Sequence, residues 1–99
     1  MWRAEIIFQA RKDIEKTVIW YNERKVGLGK LFLEHISADV SIIQLNPYAF
    51  ALKYQEVRSK VMTTFPYTIH YFIDAKNHKF IIIAVFHTKL NPSNWKKRI

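Results

Sequence analysis

Cysteine is absent from this 99-residue chain, and glycine occurs only twice. Without cysteine the chain can form neither a disulfide framework nor a thiolate that attacks a substrate or binds a metal. No apolar run approaches the roughly 20 residues that span a bilayer, and residues 1–5 lack the apolar stretch of a signal peptide. We therefore expect a single domain, residues 1–99, that is cytoplasmic and has no contact with a membrane.

Acidic residues are scarce in the second half of the chain. Residues 1–49 carry seven Lys/Arg and six Asp/Glu, whereas residues 50–99 carry nine Lys/Arg and only Glu56 and Asp74 as acids. A field of this sign attracts polyanions such as nucleic acid, an acidic protein segment or a membrane surface. A solvated basic surface with no special partner is the alternative, because positive charge also keeps proteins soluble.

The most regular hydrophobic pattern lies in residues 65–87. Two runs rich in aromatic and β-branched residues flank the polar residues 74–78, which predicts a β-hairpin with a five-residue loop. Residues 80–86 are apolar at every position, so both faces of this strand should be covered. We expect it to be the central strand of a sheet.

The remaining segments differ in their periodicity. Residues 2–8 alternate and predict a half-buried strand, with Phe8 on its buried face, whereas residues 10–25 and 31–45 have the helical period of 3.6. On the first helix this period places Ala10, Ile14, Thr17, Val18 and Tyr21 on one stripe, which should face the core. Gly27 can end the first helix in the left-handed conformation, and Gly29 helps the chain turn into the second. Residues 53–64 alternate again and predict one strand with a charged face that carries Arg58 and Lys60. The predicted fold is α+β in the order β-α-α-β-β-β, with the N-terminal strand and helical hairpin packed on a small, mostly antiparallel sheet.

Residues that could carry chemistry are few. The four histidines lack the spacing of a zinc motif, and the chain has neither a Gly-rich phosphate loop nor a nucleophile elbow, so we expect no metal and no cofactor. His87 ends the central strand, where it could serve as an acid or base or be a satisfied structural residue. The cations Lys53, Arg58, Lys60 and Lys89 could hold an RNA backbone or an acidic peptide. In the basic tail, residues 88–99, Trp95 is the expected anchor.

A series of short motifs resembles the RelE/ParE superfamily of toxins from bacterial type II toxin-antitoxin systems. The motifs run in order along nearly the full chain: Asp13-Ile14, Trp20-Tyr21, Gly27-Leu28-Gly29, Asn46-Pro47, Val57-Arg58, Phe65-Pro66-Tyr67, Ala84-Val85-x-His87 and Pro92-x-x-Trp95-x-x-Arg98. The resemblance implies a small basic toxin of a plasmid stabilisation system. It also implies, as a partner, a cognate acidic antitoxin that folds over the toxin.

The resemblance implies two alternative activities. ParE-like members bind and poison DNA gyrase and are not enzymes, whereas RelE-like members cut messenger RNA on the ribosome. In a RelE-like protein Arg58 would stabilise the phosphate and His87 would be the acid or base; otherwise Lys53, Lys60, Lys89 and Trp95 would be binding residues. Leu90 stands where RelE-like members commonly have arginine, and the Gly27-Leu28-Gly29 turn is closer to the ParE-like branch. An inactive or repurposed antitoxin-binding module is the third possibility.

Overall fold

The computed structural model describes residues 1–91 and Arg98. Trp95, the expected anchor of the tail, lies outside the described residues. Within them the elements follow in the order β1 (Arg3–Ile6), α1 (Phe8–Arg24), α2 (Leu28–Leu45), β2 (Leu52–Tyr54), β3 (Val57–Val61), β4 (Tyr67–Asp74) and β5 (Lys79–His87). Short 3-10 turns at Pro47–Ala49 and Ala75–Asn77 complete the connections.

The strands form one sheet in the order β1-β5-β4-β3-β2. β1 pairs in parallel with β5, and the other neighbours are antiparallel. The α+β class and the order of elements are thus confirmed. β5 is an interior strand, paired with β1 on one side and β4 on the other, although β4 and not β5 is the middle strand of the sheet. All seven residues from Phe80 to Phe86 are buried.

The predicted single strand over residues 53–64 is wrong in one respect, because the structure has two short strands there. β2 and β3 form a tight hairpin whose turn contains Gln55 in the left-handed region, with φ 46°. No glycine, proline or asparagine marks this turn, so the sequence carries none of the usual hairpin signals. The sheet therefore has five strands, one more than expected.

The helical hairpin depends on both glycines, for different reasons. Gly27 precedes α2 with φ 91°, in the left-handed region that a side chain disfavours. Gly29 lies inside α2, and a Cβ atom there would come within 2.6 Å of the Val18 carbonyl oxygen of α1. Asn22 also accepts a hydrogen bond from the Gly29 backbone N–H at 2.8 Å. Gly29 therefore permits the close approach of the two helices, rather than the turn for which the sequence suggested it.

The helices cover one face of the sheet and enclose the main core. The predicted stripe of α1 is confirmed, since Ala10 and Thr17 are buried. Phe8, expected on the buried face of the first strand, is instead the first residue of α1 and is 68% exposed. The strand stops at Ile6, so the alternation no longer decides which way residue 8 points. In the described residues no helix has the length and apolarity needed to cross a membrane.

Two apolar clusters hold the sheet from its two sides. The larger one lies under the helices and contains Ala10, Phe32, Ile36, Ile43, Met62, Phe65, Ile69, Tyr71, Phe80, Ile82 and Val85. The smaller one contains Val57, Ile81, Ile83, Ala84 and Phe86, with Ile7, Tyr54 and Leu90 packed against it. The side of the sheet that carries the smaller cluster has room for a surface cleft.

Candidate functional site

A cleft of about 350 Å³ lies where β3, β4 and the end of β5 come together, and we call it the basic cleft. Its lining residues come from β2 to β5 and from the segment that follows β5. They are Lys53, Ser59, Val61, Thr68, His70, His87, Thr88, Lys89 and Leu90. Three of the candidates chosen from the sequence, Lys53, His87 and Lys89, therefore meet at one place although they are up to 36 positions apart in the chain.

His70 is the most buried polar group of the basic cleft. Its side chain is 1% exposed, and its Nδ1 atom lies 3.3 Å from the hydroxyl of Tyr54. Burial, reinforced by the positive charge of Lys53, lowers the pKa of His70 to about 4. The ring is therefore neutral at physiological pH. Burial likewise raises the pKa of Tyr54, so its hydroxyl keeps its proton.

His87 occupies the end of β5 and is half-buried. Its Nδ1 atom accepts a hydrogen bond from the Lys89 backbone N–H at 3.0 Å, and its ring packs edge-on against Tyr67 at 5.2 Å. Because Nδ1 is the acceptor, the proton of the neutral ring lies on Nε2. This arrangement fixes the ring and the start of the following segment together.

Arg58 does not reach the basic cleft. Its guanidinium donates from Nη1 to the Phe50 carbonyl at 2.7 Å and lies 5.3 Å from the ring centroid of Tyr48. It borders a different hollow, of about 320 Å³, together with Tyr48, Leu52 and Phe72. The arginine therefore fastens the connection between α2 and β2 to the sheet.

Lys60 is buried, which corrects the expectation of a solvent-facing charged strand. Its ammonium lies 2.7 Å from Asp39 Oδ1 of α2, and the two side chains are 9% and 8% exposed. The alternation of β3 points the Lys60 side chain towards the helices. Its charge can be buried there because Asp39 supplies the counter-charge. Lys60 is therefore better placed to link β3 to α2 than to contact a ligand.

Sequence reasoning missed four polar residues that line the basic cleft: Ser59, Thr68, His70 and Thr88. The signal was present in β4, where Thr68 and His70 alternate with the apolar residues Ile69 and Tyr71 of the main core. Polar residues at every second position of a buried strand mark a face that serves something other than core packing. Among the described residues, no group of three or more histidine, aspartate or glutamate side chains could hold a metal ion.

The structure thus defines a small α+β protein in which two helices cover one face of a five-stranded sheet and a basic cleft opens on the other. Neither a family model nor a curated protein matches the sequence. The structure is, however, similar to a chain of the solved chromosomal ParDE TA system from P. aeruginosa, with a TM-score of 0.76 over 88% of this chain and 96% of that chain. Sequence identity is 13%, so the likeness establishes the shared fold.

Proposed function

We propose that this protein is the toxin component of a type II toxin-antitoxin (plasmid stabilisation) system and that it acts in the ParE-like manner, by inhibiting DNA gyrase. The observation that carries the proposal is the match to a chain of a ParDE TA system over nearly the full length of both chains. The order of the sequence motifs, from Asp13-Ile14 to Arg98, supports the same assignment independently.

The arrangement of the cations favours gyrase inhibition over RNA cleavage. Arg58, the candidate for stabilising a phosphate, binds backbone carbonyl oxygens, and Lys60 is paired with Asp39. Leu90 lines the basic cleft at the position where RelE-like members commonly have arginine. A phosphodiester transition state needs positive charge fixed beside it, and two of the expected sources of that charge are engaged elsewhere.

An antitoxin with acidic and apolar side chains fits the helical face. An apolar groove of about 320 Å³ is lined by Ile14, Val18, Ile19 and Leu33 together with Glu15. Ile19 and Leu33 are 60% and 44% exposed. Lys16 lies three positions before Ile19 on α1, and Lys30 lies three positions before Leu33 on α2, so cations flank the groove. A partner helix could bury its apolar side chains here and place its acids beside these lysines.

Controlled expression tests the toxin function. We expect induced cells to stop dividing and form filaments, and purified protein to trap gyrase on cleaved DNA. Co-expression of the acidic protein encoded next to the gene should prevent both effects. Well-folded protein that neither arrests growth nor affects gyrase would refute the proposal.

A RelE-like ribosome-dependent ribonuclease is the second candidate, because the basic cleft brings Lys53, His87 and Lys89 together. If the cleft holds RNA, Lys53→Ala with Lys89→Ala should abolish breaks in messenger RNA at the ribosomal A site. Lys76→Ala is the matched control, since Lys76 is exposed at the far end of the β4–β5 hairpin. If the double variant Lys53→Ala with Lys89→Ala still arrests growth, and messenger RNA is not cleaved during that arrest, this candidate is excluded.

A further inference from the structure

The basic cleft is lined by hydrogen-bond donors that the fold itself does not use. Within the described residues, the side chains of Ser59, Thr68 and Thr88 make no hydrogen bond, and the Lys89 ammonium forms no ion pair. Neither aspartate nor glutamate is among the described residues that line this cleft. Hydroxyls can donate or accept, whereas an ammonium only donates. The lining is therefore rich in donors and holds no carboxylate to satisfy them.

Thr68 is the most informative of these donors because it is buried. It lies on β4, and its side chain is 8% exposed. No side-chain nitrogen or oxygen of the described residues that are at least partly buried is both sealed from solvent and unbonded. The Thr68 hydroxyl therefore opens into the cleft. Since buried polar groups in proteins nearly always have a hydrogen-bond partner, this hydroxyl is placed to bond something that enters there.

His87 adds a neutral donor, and the segment that follows it is already ordered. Its Nδ1 atom accepts from the Lys89 backbone N–H at 3.0 Å, so Nε2 carries the proton, which has no partner within the described residues. The Thr88 N–H donates to the Pro66 carbonyl at 2.9 Å, and the Leu90 N–H donates to the His87 carbonyl at 2.9 Å. Donors that start from a fixed backbone lose less entropy when a ligand binds.

The donors and charges of the cleft match a phosphate group. A phosphate monoester carries a charge of about −2 near neutral pH and has three strongly accepting oxygens. Lys53 and Lys89 supply two positive charges to the lining. A carboxylate has two oxygens and a single charge, so it would use fewer of the donors. A cleft of about 350 Å³ is near the lower limit for small-molecule sites, which suits a ligand no larger than a nucleotide.

We propose that the basic cleft binds one phosphate group, as the free anion or as a small monoester of nucleotide size. The donors to the phosphate oxygens are the hydroxyls of Ser59, Thr68 and Thr88 and the Nε2–H of His87, while Lys53 and Lys89 balance the charge. Val61, which is 60% exposed, and Leu90 form an apolar wall for the organic part of a monoester. The inference goes beyond gyrase inhibition and does not depend on it. It also differs from RNA cleavage, because each phosphodiester inside a strand carries only one charge.

Titration of the full chain, followed by NMR of the backbone amides, tests the inference with four probes: adenosine 5′-monophosphate, inorganic phosphate, adenosine, and a dinucleoside whose one phosphate is a diester. The monophosphate and phosphate should shift the signals of Thr68, Thr88 and Lys89, and adenosine should not. Equal affinity for the first two would support the site and assign it to the free anion. Tighter binding of the monophosphate would support it as a site for monoesters.

Two variants with matched controls test the named donors. Thr68→Val removes the hydroxyl at nearly constant shape and should weaken binding of the monophosphate about tenfold. Thr17→Val, whose hydroxyl bonds the Asp13 carbonyl within α1 at 2.8 Å, should leave binding unchanged. Lys89→Met should also weaken binding about tenfold, and because Lys89 is exposed this variant should fold. Lys76→Met loses the same charge at the far end of the β4–β5 hairpin and should have little effect.

The inference is overturned if neither the monophosphate nor inorganic phosphate shifts these signals at millimolar concentration, or if adenosine binds as tightly as its monophosphate. It is also overturned if folded Thr68→Val binds as the unchanged chain does. Equal weakening in Lys89→Met and Lys76→Met would mean that net charge alone attracts the anion. Equal affinity for the diester would indicate a nucleic-acid strand instead of a monoester, and would overturn the proposal while leaving the ribonuclease candidate standing.

Discussion

The buried pair of Lys60 and Asp39 allows a quantitative test of how the helices are attached to the sheet. The 2.7 Å contact joins β3 to α2, and both side chains are less than 10% exposed. Lys60→Met keeps most of the side-chain volume but leaves the Asp39 carboxylate without its counter-charge. Breaking one partner of such a pair costs about 3–5 kcal/mol, because an isolated charge then remains in the interior.

That loss is large relative to the stability of a domain of this size. Small domains unfold with about 5–15 kcal/mol, and their stability falls by ~1 kcal/mol per molar urea or somewhat more. The midpoint of urea unfolding should therefore drop by about 3 M in Lys60→Met. Lys12→Met is the matched control: it breaks the Lys12–Glu15 pair, whose side chains are 50% and 61% exposed, and it should cost less than about 1 kcal/mol.

The double variant Lys60→Met with Asp39→Leu distinguishes a lost charge partner from lost packing. Apolar residues of similar volume often replace a buried ion pair without loss, so the double variant should regain most of the stability that Lys60→Met lost. If Lys60→Met costs no more than Lys12→Met, Asp39 is not sealed from water. If the double variant is as unstable as the single one, the cost arises from packing and the reasoning from buried charge is wrong.

Two further predictions concern the helical hairpin and His70. Gly29→Ala should destabilise the protein by about 1–3 kcal/mol, because its Cβ would meet the Val18 carbonyl oxygen at 2.6 Å. In an uncrowded helix the same change stabilises by about 1 kcal/mol. Thermal unfolding of this variant beside Gly27→Ala, which adds a strained φ without a clash, separates the cost of the steric clash from the cost of backbone strain. The pKa of His70 is about 4 in the folded chain and about 6.5 in the unfolded one, so the unfolded state binds the proton first as the pH falls. The free energy of unfolding should therefore drop by about 2 kcal/mol between pH 7 and pH 5 because of His70. Urea unfolding of His70→Phe should show a pH dependence that is smaller by this amount. If His70→Phe has the same pH dependence as the unchanged chain, His70 is not a buried neutral ring.

The sequence predicts well those parts of the fold where local pattern and burial agree. The continuous apolar run of β5 indicated a strand covered on both faces, and the stripe of Ala10 and Thr17 indicated which side of α1 faces the core. Both follow from periodicity, since the same residues are buried whatever their detailed partners. The split between β2 and β3 was missed because Gln55 adopts a left-handed conformation without the residue types that usually signal it.

The partners of charged residues could be predicted only in part. Alternation correctly separated Arg58 and Lys60 from Val57, but it could not reveal that Asp39, 21 positions away, would draw Lys60 into the interior. Arg98 and Asp13 are separated by 85 positions, and no local pattern relates them. Such contacts are fixed by how the helices and the Arg98 side chain pack on the sheet. For the same reason the sequence predicted only some of the cations of the basic cleft and did not predict the cleft itself.

The fold cancels much of the charge asymmetry that the two halves of the sequence display. Four cations of residues 50–99, the basic half of the chain, make internal contacts. Three of them pair with acids of residues 1–49: Lys60 with Asp39, Lys79 with Glu5 and Arg98 with Asp13. The fourth, Arg58, binds backbone carbonyls. Of the other described cations in residues 50–99, Lys53 and Lys89 line the basic cleft, whereas Lys76 lies at the far end of the β4–β5 hairpin. A polyanion should therefore be attracted to that cleft rather than to the basic half as a whole. Replacing Lys53 and Lys89 should weaken its binding more than the loss of two charges elsewhere, such as Lys76 and Lys12, and equal losses would mean that only net charge matters.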